Sequence, residues 1–176
     1  MSLPRLAALL AESPRAFNEY RAAHEDEPIV LAGVDLSGRN LTGADLRGAN
    51  LFEANLSWSV LDGVNFAGAD LRRSWLEGCQ LARASFDAAR MDYANVRSAK
   101  LQGSTFCGAT LRWATFQHAD LRGAIFDHAN LRRVVFCDAD LTGASMKDAH
   151  LAEADFRWAI YQLDAIESDL SGACIR

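Results

Sequence analysis

A large apolar side chain stands at every fifth position from Leu31 to Tyr161, 27 positions without a slip. Most are Leu or Phe; Met91, Val96, Met146 and Tyr161 are the variants. Neither a helix of about 3.6 residues per turn nor a flat strand of period about 2 brings residues five apart onto one side. A period of five needs a chain that turns a corner in every repeat.

The other slots agree. Two residues before each centre the side chain is small, usually Ala, with Ser59, Ser74, Cys79 and Ser104 as near equivalents. Val34, Arg39, Val64 and Val134 depart from this. The slot just before the centre favours Asp, Asn or Thr, as in Asp35, Asn40, Asp70 and Thr110. Two after the centre Gly is frequent, as in Gly33, Gly43, Gly63 and Gly123, and relaxes the turn. One large and one small residue per unit therefore face inward. A single unit buries nothing, but stacked units share a continuous core, which is the logic of a solenoid.

Length and charge narrow the classes. The chain has 176 residues, half of them apolar, enough for one real core. Its net charge of -5 argues against a dedicated nucleic-acid binder. No apolar run approaches the ~18 residues of a membrane span. The opening MSLPRLAALLAESPR lacks the apolar stretch of a secretory signal, so the expected location is cytoplasmic.

Units such as Ala44-Asp45-Leu46-Arg47-Gly48 and Ala49-Asn50-Leu51-Phe52-Glu53 resemble the A(D/N)LXX signature of the pentapeptide-repeat family. The resemblance runs over about residues 29–168. It implies an all-β solenoid, a right-handed quadrilateral parallel β-helix with four pentapeptides per coil. With ~4.8 Å of rise per coil, that is about seven coils and a rod on the order of 30 Å long.

Four units per coil would stack residues 20 apart, and the numbering then sorts the surface into four faces. The first face, centred on Leu51, Leu71, Met91, Leu111 and Leu131, sums to +2. Its corner column reads Gly33, Glu53, Arg73, Tyr93, Trp113, Arg133, Glu153. Phe52, Arg72, Arg73, Tyr93, Trp113, Arg132 and Arg133 form a candidate protein interface, because aromatic residues flanked by Arg are enriched at interfaces. The competing reading is cation–π packing of Arg on Trp113 and Tyr93. The second face sums to -2 and the third to +1. The fourth, with Asp45, Asp87, Asp127 and Asp148, sums to -4 and is a candidate acidic face. Asp45 there occupies a slot with a structural reading; the other acids are expected to be free surface groups.

The two ends depart from the repeat. Residues 1–28 are expected to form a helical cap over the first coil, with helix starts at Ser2 and Ser13. Leu3, Leu6, Leu9 and Leu10 would share one side of the first helix, and Phe17 and Tyr20 one side of the second. After residue 168 the register breaks: Leu170 follows Ile166 by four residues, then comes Ile175. Residues 169–176 are therefore a C-terminal end. Tyr161, Leu163, Ile166, Leu170 and Ile175 would leave it apolar, and a twofold dimer is the economical cover. Dimerisation through this end is also what the family resemblance implies.

No catalytic or cofactor constellation is expected. His24, His118, His128 and His150 do not converge with a third ligand, so no metal site is expected. Cys79, Cys107, Cys137 and Cys174 lack paired spacing and are expected as buried or half-buried thiols. The reading is a non-enzymatic protein-binding rod. The family resemblance adds an alternative: a DNA mimic that binds a type II topoisomerase such as DNA gyrase and protects it from quinolones. The basic first face fits that alternative poorly.

Overall fold

The computed structural model describes residues 2–161 and 172–175. From Val30 to Ile160 the chain forms parallel single-residue bridges between positions n and n+20, starting with Val30 to Asn50 and ending with Asp140 to Ile160. Each coil is thus 20 residues and four corners. The bridging residue is the one just before each apolar centre.

Each corner is a β-turn. The residue three after the centre donates its N–H back to the centre's carbonyl, as Ala69 does to Phe66 at 2.9 Å. The third turn position has φ near +60°, the mark of a type II turn. The geometry holds at glycines such as Gly68 (φ 67) and at bulky residues such as Trp113 (φ 63). The fold, not the residue, sets the left-handed conformation. Asp or Asn before the centre caps the same turn: Asp70 Oδ1 accepts from Arg72 N–H, and Asn50 Oδ1 from Phe52 N–H.

The interior holds one continuous core. Phe66, Phe86, Phe106 and Phe126 stack on one wall, with centroids 5.1, 4.8 and 4.5 Å apart. Phe116, Phe136 and Phe156 stack on the opposite wall. The two walls meet edge to face, as Phe106 and Phe116 do at 5.8 Å. The buried small polar residues are satisfied: Ser59, Cys79 and Ser104 donate to the carbonyls of Leu36, Leu56 and Leu81.

Two helices precede the solenoid, α1 (Leu3–Glu12) and α2 (Pro14–Ala23). Leu6, Leu10 and Phe17 are buried in the same core as Leu31, Leu36 and Leu41. Leu3, expected on the buried side, is 38% exposed, and Ser2 makes no side-chain cap; Ser13 does, accepting from Ala16 N–H. The helices also replace a missing coil. In later coils the bridging N–H donates to a carbonyl 21 residues earlier, as Asn65 does to Ala44. Asp45 has no such coil before it, and Asn18 Oδ1 accepts its N–H at 2.8 Å. Arg21 likewise donates to the Arg47 carbonyl.

At the other end the spacing contracts. Asp155 bridges Cys174, a step of 19, and Phe156 N–H donates to the Cys174 carbonyl. The step is one residue short of 20, consistent with the break in spacing at Leu170. Leu163, Ile166 and Leu170 lie outside the described residues; Tyr161 is half-buried and Ile175 exposed.

Candidate binding face

The first-face corner column is a self-paired ladder. Glu53 meets Arg73 at 3.5 Å. Tyr93 and Trp113 lie parallel, with centroids 6.3 Å apart. The Arg133 guanidinium sits over the Trp113 ring at 4.5 Å and also grips Glu153 through Nε and Nη2. Surface cation–π packing is therefore present at Arg133, and Arg132 shares Glu153 at 3.3 Å. Tyr93 and Trp113 remain 57% and 48% exposed.

Beside this column runs a second one, also supported from within. Arg72 stacks over Phe52 at 5.5 Å and bonds Asp70 through Nε and Nη2. Those bonds hold the Asp70 carboxyl below its usual pKa. Arg112 bonds the nearly buried Asp92 one coil away through Nε and Nη2, and Asp92 Oδ1 also accepts Arg112 N–H. Phe52, Arg72, Arg73, Asp92, Tyr93 and Arg112 enclose a shallow basin of about 390 Å³. Asp92, nearly buried, lies in the coil between the longer Arg72 and Arg112.

The acidic face is less free than its charge suggests. Asp45 pairs with Arg47 at 2.7 Å and Arg21 at 3.5 Å; the Arg47 bond leads in lowering its pKa. Asp87 and Asp127 are not free surface groups. Each stands one residue after a centre and accepts a backbone N–H from the next coil, that of Cys107 and of Lys147. Asp62 and Asp92 do the same for Ala82 and Arg112. Asp148, on a corner, faces His128 at 3.8 Å. Sequence reading missed this coil-to-coil role; the signal is an Asp in the slot after the centre.

Among the described residues no group of His, Cys, Asp and Glu could hold a metal ion, and no helix is long and apolar enough to cross a membrane. Burial raises the Cys79 thiol to about 12. Cys174, expected to be at least half-buried, is exposed because it holds the bridging slot, where side chains such as Trp75 and Ile160 also face outward.

No curated protein is similar enough in sequence to match. Solved structures with a similar fold include a pentapeptide repeat protein from the Arabidopsis thaliana thylakoid lumen. It is 36% identical, over 54% of this chain and 70% of that one, with a TM-score of 0.44. QnrB1, a plasmid-mediated fluoroquinolone resistance protein, is 19% identical over 85% of this chain and 90% of its own, with a TM-score of 0.46. HetL, involved in heterocyst differentiation regulation in the cyanobacterium Nostoc sp. strain PCC 7120, is 23% identical over 91% and 96%, with a TM-score of 0.37. The pentapeptide-repeat sequence model matches in eight copies, over residues 30–66, 65–103, 89–127 and 129–160. With most of its length so matched and its coils closing every 20 residues, the chain belongs to the pentapeptide-repeat family, whose fold is a right-handed quadrilateral β-helix.

Proposed function

We propose that this protein is a non-enzymatic protein-binding rod and that its first face is the interface. The observation that carries this is the corner column from Glu53 to Glu153. All six of its residues are non-glycine and left-handed. The third-face corners Gly43, Gly63, Gly103, Gly123 and Gly143 are glycine, with Arg83 the exception, whereas the second-face corners Trp58, Ser98, His118, Asp138 and Trp158 are also non-glycine. The fold does not require Tyr93 or Trp113 there; both are exposed aromatic groups lying parallel to each other, with Arg133 over Trp113, and Trp, Tyr and Arg are the residue types that dominate binding hot spots. The end bearing Trp158 (69% exposed), Ile160 (62%) and Ile175 (45%) is proposed as the contact of a homodimer.

A DNA mimic acting on gyrase is the weaker reading. It needs exposed, unengaged acids, and Asp45, Asp87 and Asp127 are bonded to cation or backbone. The test is affinity capture from a cytosolic extract with three baits: the native chain, Tyr93→Gly with Trp113→Gly, and Asp87→Lys with Asp148→Lys. A gyrase supercoiling assay with and without a quinolone runs alongside. A partner lost only with the first-face bait supports the proposal. A partner or gyrase effect lost only with the acidic-face bait refutes it.

A further inference from the structure

We propose that the basin between Phe52, Arg72, Arg73, Asp92, Tyr93 and Arg112 is a docking site for an acidic, extended segment of a protein partner. This rests on the first face being the interface and names what that face recognises.

Charge selects the chemistry. The first face sums to +2 on a chain of net charge -5. The basin is lined by three guanidinium groups and one carboxylate, Asp92, which Arg112 bonds, while Arg72 pairs with Asp70 and Arg73 with Glu53. Arg72 and Arg112 each spend Nε and Nη2 on an aspartate. Their Nη1 groups have no acceptor among the described residues, so each presents N–H donors outward from a fork already held in place. Arg73 adds a third cation, 63% exposed at its side chain. Preorganised, half-desolvated guanidinium groups favour carboxylates over water more than mobile lysines do. Phe52 and Tyr93 in the lining supply apolar surface for the methylene stems or rings of such a segment.

Width selects the shape. The first face lies between the fourth and the second. Among the described residues the fourth carries Asp45, Asp87, Asp127 and Asp148 against Arg47 and Lys147. The second carries Asp35, Glu77, Asp138 and Asp155 against Arg97 and Arg157. A broad polyanion such as a nucleic-acid duplex would overhang into acid on both sides. A single extended chain lying along the rod axis stays over the basic strip.

The experiment is fluorescence anisotropy of a labelled oligoglutamate peptide titrated with the full chain at low and high salt. Oligolysine and a labelled oligodeoxynucleotide serve as comparison probes. Saturable binding of oligoglutamate, weakened by salt, is expected. Arg73→Gly with Tyr93→Gly is expected to weaken it about tenfold, the loss of one charge-assisted contact. Both substitutions place glycine on a left-handed corner (φ 57 and 63), so the variant is expected to melt no lower than the native chain, separating lost recognition from lost folding. Absent oligoglutamate binding, preference for the oligodeoxynucleotide, or affinity unchanged in the variant overturns the inference. A natural partner still captured through Tyr93 and Trp113 while oligoglutamate fails would overturn the acidic chemistry alone. Capture independent of those residues would overturn the interface itself.

Discussion

Gly68 and Ala88 occupy successive coils of one corner column, with φ of 67 and 57. They isolate the backbone energetics of the corner. A Cβ built on Gly68 meets nothing within 4 Å, so Gly68→Ala adds no contact and no clash. Its cost is the left-handed conformation alone, about 1–2 kcal/mol for a residue with a Cβ. Against this stands the smaller conformational entropy of unfolded Ala, worth about 0.4–1 kcal/mol. The net loss is roughly 0.8 kcal/mol. Ala88→Gly runs the same cycle backwards and should stabilise by roughly the same amount. In a chain this size that is a shift of about 2–3 °C in Tm, downward for the first and upward for the second. The double substitution should return Tm close to that of the native chain, because no side chain joins the two sites. Thermal and urea unfolding by circular dichroism measure this, with the urea slope expected to stay constant. A lower Tm for Ala88→Gly, or an unchanged one for Gly68→Ala, would refute the claim that corner strain is set by the fold.

Three further outcomes are expected. Asp92→Ala removes the acceptor for Arg112 N–H and leaves Arg112 without its fork, and should lower unfolding free energy by about 2 kcal/mol in urea titration. The pKa values of Asp70, Asp120 and Asp155 are lowered first by hydrogen bonds from Arg72, Arg122 and Arg157, so their contribution is complete above the unfolded carboxylate value of about 3.9. It is lost as pH falls through the lower folded values; Tm should therefore decline below about pH 4, and a decline from these groups already at neutral pH would contradict the assignment. In the native state a thiol reagent such as Ellman's should label exposed Cys174 and leave buried Cys79, with its pKa near 12, unlabelled until the chain unfolds.

The periodic apolar centre made the coil legible, because in a structure that closes every 20 residues each column can be read by counting. The opposed Phe walls, the small inner slot and the short step to Cys174 follow from the same count. Charge was harder to read. Counting Asp87 and Asp127 as surface acids treats every carboxylate alike, whereas one residue's difference in slot decides what it bonds. Before the centre, Asp70 caps its own turn; after the centre, Asp87 reaches the N–H of the next coil; on the corner, Asp148 points to solvent and His128. Side-chain reach at each slot, not net charge, separates these fates. The basin beside Tyr93 was invisible for a similar reason, since its lining includes the bond from Arg112 to Asp92 between coils.

These slot assignments also show which positions the fold leaves open. The centre and the small slot are consumed by the core. Asp or Asn before the centre is often consumed by its turn, and Asp after the centre by the next coil. The corner asks only for a left-handed residue, and glycine satisfies it without strain. Any other residue there carries a backbone cost that its side chain must offset or the fold must absorb. From Glu53 to Glu153 the first face forgoes glycine six times running, at a backbone cost of about 1 kcal/mol each relative to glycine. Summed, that is comparable to the stability of an ordinary domain. The ladder's own contacts recover part of it through Arg133 on Trp113 and Arg73 on Glu53, but exposed pairs of this kind return only about 0.5–1 kcal/mol. Tyr93 and Trp113, about half exposed, have their largest unspent surface facing outward. The second-face corners Trp58, Ser98, His118, Asp138 and Trp158 also forgo glycine; what sets the first face apart is the parallel pair Tyr93 and Trp113 with Arg133 laid over Trp113, a strip that a partner would cover.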